Sequence, residues 1–325
     1  MTAALAAVLA LGFLVIQAPL AQAFSIDPAQ GPFQPEVFAA SPDREQLTVR
    51  PGEVTTISIQ VQNRLSAPIK VDVKSLDGAG SANPENIIDF VNKAKYGAGR
   101  WLELERKSFQ LEVGDKATLD VTIRVPHDAS PGSHYAGIKA ITRGVKGGAT
   151  GGGAVNLVST IIIQVFFDVP GEKRYDGEIE DASYPSYVEH GEDKIVPIDI
   201  VYHNTGNVTD KVGGQVLVKS IFGTTALELP LKDGFVLRDG KRAYRAVWND
   251  TPWIGIFRPV VTMVGENGKK RTLELEPIVV FPPWYYLLLV LLTLAYPIYR
   301  RYRNRNDWRE FIDEEGFEEE EVADW

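Results

Sequence analysis

Alternation of apolar and polar residues along the middle of the chain constrains its fold more than any other feature. Val54–Gln62 and Leu119–Val125 both show it. Successive side chains of a β-strand point to opposite faces, so a period of two buries one face of the strand and leaves the other in water. Turn signals such as Pro51-Gly52 and Pro131-Gly132 separate these strands. Short strands at this spacing predict an antiparallel sandwich.

A second run of alternating strands follows Pro170-Gly171 and continues to Phe281. In each run an asparagine follows a strand, at Asn63 and at Asn204. This shared feature indicates two related copies of one unit. The sequence therefore predicts an all-β fold of two tandem immunoglobulin-like β-sandwich domains, at residues 24–170 and 171–281, followed by one C-terminal transmembrane helix.

The chain contains no cysteine, so disulfides cannot stabilise either domain and burial of apolar surface must do so. A glycine-rich segment, Gly144–Gly153, interrupts the first domain. It lacks the Gly-Lys-Ser/Thr ending of a phosphate-binding loop. We interpret it as the loop of a hairpin between two strands.

The N-terminal apolar stretch is typical of a secretory signal peptide. Leu5–Leu20 is apolar and is followed by Ala21-Gln22-Ala23, a small-residue cleavage pattern. Residues 1–23 are thus predicted to be removed. The alternative is an uncleaved N-terminal anchor, because no Lys or Arg precedes the apolar run.

The C-terminal apolar stretch, residues 282–301, is predicted to span a membrane. Aromatic residues, which are enriched where a helix enters a membrane, lie at its start. Basic residues, which are enriched on the cytoplasmic side of a membrane, lie at its end. These predicted anchor residues are Trp284, Tyr285, Tyr286, Arg300 and Arg301. The alternative, a buried β-hairpin, does not account for the basic flank. We expect a single-pass protein of the cell membrane with an extracellular ectodomain and a cytoplasmic tail, residues 302–325.

The net charge is −9, and from Arg300 onward five Arg face ten Asp or Glu. An acidic chain of this kind argues against nucleic acid as a partner. Within the tail, Trp308, Phe311 and Ile312 would share one face of a helix, because they are spaced at i, i+3 and i+4. We predict that this acidic-aromatic segment binds a cytoplasmic protein; the alternative is a solvated, disordered tail.

Four segments of the first domain suggest a family. They are Leu47–Glu53, Ile59–Asn63, Phe109–Asp115 and Val125–Ile138, the last containing Val125-Pro126 and Pro131-Gly132. With the predicted signal, two β-domains, span and tail, the chain resembles the WxL-interacting proteins of bacterial surfaces and their peptidoglycan-binding domain. The resemblance implies a cell-wall glycan or another surface protein as the ligand. It carries over no individual binding residue.

Motifs of catalysis are missing from the sequence. The histidines, His127, His134, His190 and His203, do not fall at metal-ligand spacing, and no Gly-x-Ser-x-Gly elbow occurs. We predict no catalytic residue, no metal and no cofactor. Trp101, His134 and Tyr135 are candidate contacts to a glycan or partner. The alternative is that Trp101 lies in the core and Tyr135 begins a strand.

Three functions follow in order of preference. The first is non-catalytic binding or scaffolding at the bacterial cell envelope. The second is a membrane-anchored accessory or sensor subunit whose tail recruits a partner. The third is an enzyme acting on envelope glycan, because the two carboxylates of a glycosidase come from distant segments that sequence spacing does not reveal.

Overall fold

The structure, a computed structural model, describes residues 24–28, 38–144, 158–190, 195–282 and 284–314, with side chains to residue 303. The predicted signal peptide, residues 1–23, lies outside the described residues. So does most of the glycine-rich segment. The described residues form two β-sandwiches and one long helix, so the prediction of a β-sheet fold is confirmed.

The first sandwich packs two sheets against each other. One sheet has the order β1-β9-β4-β2, with β7 also paired to β9. Its strands are β1 (Ser25–Asp27), β2 (Ala39–Ser41), β4 (Val54–Gln62), β7 (Leu102–Leu104) and β9 (Lys116–Arg124). The other has the order β3-β11-β10-β5-β6, with β8 paired to β5. Its strands are β3 (Arg44–Thr48), β5 (Ile69–Gly80), β6 (Ile88–Val91), β8 (Ser108–Leu111), β10 (Gly132–Gly144) and β11 (Thr160–Val169).

The second sandwich is smaller. Its three-stranded sheet has the order β12-β14-β17, from β12 (Glu178–Ser183), β14 (Val196–His203) and β17 (Lys241–Trp248). The facing sheet has the order β13-β20-β18-β15-β16, with β19 paired to β18. Its strands are β13 (Tyr187–Glu189), β15 (Asp210–Ser220), β16 (Thr225–Val236), β18 (Gly255–Val264), β19 (Lys270–Glu274) and β20 (Ile278–Phe281).

The two sandwiches share one strand arrangement. In each, a short early strand runs parallel to the last strand, β3 beside β11 and β13 beside β20. All other pairs are antiparallel, including the β10–β11 hairpin that the sequence predicted around the glycine-rich segment. Alternating side chains fill both interiors; Val121 of β9 and Ile200 of β14 are fully buried. Each sandwich therefore stabilises itself by apolar burial without a disulfide.

The two asparagines noted in the sequence occupy equivalent buried positions. Asn63 Oδ1 accepts the N–H of Leu65 at 3.0 Å, and its Nδ2 donates to the carbonyl of Glu112 at 2.9 Å. Asn204 Oδ1 accepts the N–H of Gly206 at 2.9 Å, and its Nδ2 donates to the carbonyl of Val236 at 2.9 Å. Each side chain thus closes its own turn and ties it to the facing sheet.

The backbones around these asparagines pair in the same way. The Asn63 N–H donates to Asp115, and Asn63 accepts from Gly114. The Asn204 N–H donates to Gly240, and Asn204 accepts from Asp239. In both domains, therefore, the asparagine holds the turn that follows a strand of the facing sheet. This equivalence is expected for two copies of one unit.

The helix α1 runs from Trp284 to Glu314 without a break at the predicted end of the span, residue 301. Its side chains are exposed from Trp284 to Arg303. By length and apolarity combined, no helix among the described residues meets the requirements of a membrane span. The backbone of Trp308, Phe311 and Ile312 is helical, whereas their side chains lie outside the described residues.

Replacing Asn204 by Ala is expected to lower the free energy of unfolding by at least about 2 kcal/mol. Each buried polar group left without its partner costs about 1–3 kcal/mol, and the carbonyls of Val208 and Val236 both lose the Nδ2 donor. Urea unfolding of the full chain measures the effect. Asn83→Ala is the matched control, because Asn83 closes a similar turn onto Glu85 at an exposed position. Equal losses in both variants would contradict this role.

Candidate binding cleft at the domain junction

Tyr135, one of the predicted contact residues, joins the two domains. Its side chain is 1% exposed, and its hydroxyl lies 2.7 Å from Thr209 Oγ1. The same hydroxyl accepts the backbone N–H of Arg238 at 2.9 Å. Burial raises the pKa of Tyr135, so the hydroxyl stays neutral and both bonds persist across the physiological range.

Asn207 adds a second group of bonds across the junction. Its Oδ1 accepts the N–H of Arg174 at 2.7 Å, and its Nδ2 donates to the carbonyl of Glu172 at 2.8 Å. Its own carbonyl accepts the N–H of Ser133 at 2.9 Å. The linker and β10 are therefore both tied to the turn that Asn204 begins.

Backbone contacts bring the domains closer than side chains would allow. A Cβ on Gly80 would lie 2.6 Å from the Cα of Gly240, and a Cβ on Gly132 would lie 2.0 Å from the carbonyl oxygen of Asn207. Gly132 also has a φ of 107°, which other residues rarely adopt. Only glycine fits at these positions without moving one domain away from the other.

The segment after β5 also extends a sheet of the second domain. The N–H of Lys241 donates to Ser81 at 2.8 Å, and the N–H of Ala243 donates to Pro84 at 2.9 Å. Both donors belong to β17, whose other edge pairs with β14. The junction is thus a hydrogen-bonded interface and not a loose linker.

Arg238 completes the junction beside the other two predicted contact residues. It is 7% exposed, and its guanidinium lies 3.5 Å from the centre of the Tyr96 ring, a cation–π contact. Its Nη1 donates to the carbonyl of Pro131 at 3.4 Å. Through a hydrogen bond, Lys95 lowers the pKa of Tyr96, and the Arg238 charge lowers it further.

Trp101 and His134 pack together instead of facing solvent. They are 6% and 5% exposed, and their ring centres lie 4.8 Å apart. Trp101 also packs on Phe167, and the ring nitrogens of His134 lie near the carbonyls of Tyr96 and Ser130, at 3.1 and 2.8 Å. Burial lowers the pKa of His134. Both rings are covered, so in this structure they contribute packing and offer no exposed face for a sugar.

Beside this junction, a cleft of about 390 Å³ opens between the domains. The outer face of β11 forms one wall, where Phe166 packs edge-on against Tyr135 at 5.2 Å. On the opposite wall Phe235 is 57% exposed, and Ile87 at the rim is 51% exposed. The cleft thus offers apolar and aromatic surface that the fold itself leaves uncovered.

Three of the four charged residues in the cleft lining make contacts with neighbouring side chains. The Arg44 guanidinium lies 4.9 Å from the centre of the Phe166 ring, and its Nε donates to Gln164 Oε1 at 3.3 Å. Lys173 pairs with Asp168 at 2.9 Å, which raises the pKa of Lys173. With Glu266 as the fourth, the lining contains two basic and two acidic side chains and has no net charge that would favour a charged ligand.

Several polar groups of the cleft are already engaged. The Ser and Thr hydroxyl groups in its lining both have partners, because Ser133 Oγ accepts the N–H of Thr209 at 3.0 Å and Thr209 Oγ1 lies 2.7 Å from the Tyr135 hydroxyl. No His lines it. In the part of the chain that the structure describes, no three His, Asp or Glu side chains come together as metal ligands.

A larger depression, of about 790 Å³, lies on the first sandwich. Charged side chains dominate its lining, including Lys74, Glu103, Glu105 and Lys107. Glu103 is already paired with Arg124 at 2.8 Å. We regard the smaller cleft as the better candidate, because it combines apolar walls with contributions from both domains.

A polar cluster behind the cleft is structural. The guanidinium of Arg271 donates to Asp176 at 2.8 Å, and this bond, with one from Lys269, lowers the pKa of Asp176 to about 2. Burial raises the pKa of Asp210 and raises that of Tyr202 to about 12. The bonds of Arg271 and Lys269 to Asp176 hold the start of β19 to the linker.

The other predicted site residues lie elsewhere. Trp284, Tyr285 and Tyr286 form the first turn of α1, where the rings of Tyr285 and Tyr286 lie 4.6 Å apart. Arg300 and Arg301 are exposed in the same helix, roughly 24 Å further along at 1.5 Å per residue. Neither group reaches the cleft.

Phe166 and Phe235 were missed from the sequence. Both break the alternation of their strands, since Phe166 precedes the buried Phe167, and Phe235 precedes the buried Val236. An apolar residue at an outward position is the signal that could have identified them.

Comparison with known proteins adds little. No family model matches the chain, and no curated protein matches it. The resemblance to WxL-interacting proteins therefore stays a prediction.

Solved structures with some likeness include a chaperone–tip adhesin complex of CFA/I fimbriae (TM-score 0.37, 12% identity, 76% of this chain and 100% of that chain). The CsuC–CsuE chaperone–tip adhesion subunit complex of Acinetobacter baumannii has a TM-score of 0.36, at 12% identity over 76% and 100%. The PapD-like domain of human CEP192 has a TM-score of 0.31, at 15% identity over 45% and 93%. At these values the likenesses carry no information about the function of this chain.

Replacing Tyr135 by Phe is expected to lower the free energy of unfolding by about 1–3 kcal/mol, because the buried N–H of Arg238 loses its acceptor. Hydrogen exchange of the Arg238 amide should accelerate in the same variant. Tyr187→Phe is the control, since the Tyr187 side chain is largely exposed. An unchanged Arg238 amide in Tyr135→Phe would show that the hydroxyl does not hold the junction.

Proposed function

We propose that the chain is a non-catalytic binding protein of the bacterial cell envelope, anchored to the membrane through α1. Its ligand site is the cleft between the two sandwiches. The observation that carries this proposal is a preformed cleft with aromatic walls, held open by the hydrogen-bonded junction around Tyr135 and Asn207. A preorganised site loses less conformational entropy on binding than one that must first form.

The lining favours a segment of another surface protein over a cell-wall glycan. A sugar ring stacks on an open aromatic face; Phe166 is covered by Arg44 on one side and contacted by Tyr135, which leaves Phe235 as the exposed phenylalanine of the lining. The free surface is instead apolar, at Ile87 and Phe235, with the amides of Gln46 and Gln164 beside it. Apolar side chains and backbone amides of an extended peptide match this surface.

The helix supplies the anchor in this proposal. From Trp284 to Tyr302 its apolar side chains are exposed on all sides, and a helix that is apolar all round is buried in protein or lipid. Nineteen residues rise about 28 Å, close to the hydrocarbon thickness of a bilayer if the aromatic ends lie in the headgroup layers. Arg300 and Arg301 then favour a cytoplasmic C-terminal end.

The roles of residues 1–23 as a signal and of Trp308, Phe311 and Ile312 as a partner motif belong to the same proposal.

Single cysteines test this topology without interference, because the natural chain has none. On intact cells, a membrane-impermeant maleimide is expected to label Thr272→Cys, in the ectodomain, and not Asn304→Cys, in the part of α1 that follows the proposed membrane segment. Permeabilised cells should label both. Labelling of both sites on intact cells, or of neither, contradicts the proposed topology.

Photo-crosslinking from the cleft tests the ligand. A photoreactive residue at Phe235 is expected to give an adduct with one envelope protein, and Ile87→Asp, on the cleft rim, should reduce that adduct at least tenfold. A photoreactive residue at Val113, also exposed but in a turn of the first domain, is the control. Equal adducts from both positions would contradict the cleft as a site. Retention on purified sacculi that Ile87→Asp abolishes, without a protein adduct, would instead assign a glycan.

A further inference from the structure

The end of the second sandwich from which α1 leaves is unusually apolar. Register places several strand ends there together, because Ser220 pairs with Phe257, and Gly255 pairs with Val280. The loops 221–224 and 249–254 therefore project at the same end as the start of α1. Between residues 171 and 281, most of the large exposed apolar side chains of the described chain lie here: Tyr187, Ile195, Ile221, Phe222, Trp253, Ile254, Ile256 and Val279.

We call the loop residues Ile221, Phe222, Trp253 and Ile254 the apolar end. Phe222 is 87% exposed at the tip of the β15–β16 hairpin, and Ile254 is 64% exposed. Isolated exposed apolar residues are ordinary, but a contiguous group marks a surface that something covers.

The apolar end is in direct contact with α1. The rings of Trp253 and Tyr286 lie 5.6 Å apart in an edge-on arrangement. The loop 221–224 is joined to the start of β18, which follows the loop 249–254, because the N–H of Ile221 donates to the carbonyl of Ile256 at 3.2 Å. The apolar end and the first turn of α1 thus lie side by side at the same end of the second sandwich.

Two cations lie just behind this surface. Lys219 and Arg258 are directly opposed in the β15–β18 ladder, on the same face of the sheet. Like charges in such a pair repel each other, which an anion between them relieves. Glu274 shares their depression of about 180 Å³ and is opposed to Val260, two positions away from Arg258. Ser220 alone separates Lys219 from the apolar residue Ile221. The apolar loops would therefore meet the acyl layer of a membrane surface, and the two cations would meet its phosphate layer.

We propose that the apolar end inserts into the interface of the bilayer, with Phe222, Trp253 and Ile254 below the phosphates and with Lys219 and Arg258 level with them. This inference rests on the proposed anchoring by α1. If Tyr286 lies in the interface, Trp253 lies there too, because their rings are in contact. The second sandwich is then held upright on the membrane and does not swing on the helix.

Electron paramagnetic resonance of single nitroxides on the full chain in lipid nanodiscs tests the proposal. Nitroxides are placed on Phe222→Cys and, as a matched control, on Phe235→Cys at the opposite end of β16. A third, on Leu289→Cys, reports on α1. We expect the ratio of collision rates with oxygen and with a water-soluble nickel chelate to be at least threefold higher at 222 than at 235, and highest at 289.

The outcomes separate the two proposals. A high ratio at 289 with equal ratios at 222 and 235 overturns the insertion of the apolar end and leaves the anchoring intact. A low ratio at 289 overturns the anchoring itself. Shielding of 222 that disappears when each nanodisc holds a single chain would assign the surface to a second copy, against the proposal.

The cations are tested in the same assay. In nanodiscs with anionic lipid, Lys219→Glu with Arg258→Glu is expected to lower the ratio at 222 at least twofold. Lys232→Glu with Lys270→Glu makes the same change in charge at exposed positions away from this end and should leave the ratio unchanged. Equal effects of the two double variants would show that the phosphate contacts are absent.

Discussion

The hydrogen bonds of one buried asparagine, Asn204, hold together most of what is distinctive in this structure. Its side chain closes the turn that ends in Asn207, and its backbone pairs with the turn of Asp239 and Gly240. Asn207 is the residue that ties the linker and β10 to the second sandwich. The other turn carries Arg238 to Tyr135 and places Gly240 against Gly80. One buried amide thus sets both halves of the domain junction.

The equivalent asparagine of the first sandwich, Asn63, holds a turn within its own domain and takes no part in the domain junction. Asn63 holds the turn of Gly114 and Asp115 as Asn204 holds its counterpart, but that turn is not at the junction. The exposure of Val113 in this turn is the consequence. The buried asparagine therefore stabilises a turn in the first sandwich, whereas in the second sandwich it also positions residues that contact the other domain. The difference comes from the residues that the turns carry, Arg238 and Gly240, and not from the turns themselves.

Much of this fold could be read from local pattern. The alternation in β4, β9 and β14 predicted strands and inward faces correctly, because burial of every second side chain is a property of the strand alone. The paired asparagines likewise indicated a repeated unit. Alternation says nothing about how one sandwich sits on another, however. Tyr135 and Arg238 are 103 residues apart, and no pattern near either residue predicts that they meet.

The candidate site was harder to predict for the same reason. Trp101, His134 and Tyr135 stood out by residue type, and the structure uses their size and hydrogen-bonding groups for packing. The aromatic residues that line the cleft, Phe166 and Phe235, are inconspicuous by type and can be recognised in the sequence only because they break the alternation. The length of α1 had no local signal either, since the helix continues through the basic residues that follow the predicted membrane segment and reaches Glu314.

The two proposed surfaces lie at opposite ends of one strand. β15 begins at Asp210, next to the Thr209 that contacts Tyr135, and ends at Ser220, next to the apolar end. Its 11 residues span about 35 Å. In the arrangement that we propose, the second sandwich rests on the bilayer at one end and is bonded to the first domain at the other, so it holds the cleft at a set height and angle above the membrane. Both contacts are then needed to orient the cleft relative to the membrane. If either the domain junction or the membrane contact were flexible, the orientation set by the other contact would be lost. This accounts for the glycines at the junction, where the two domains approach to backbone contact and leave little freedom to hinge.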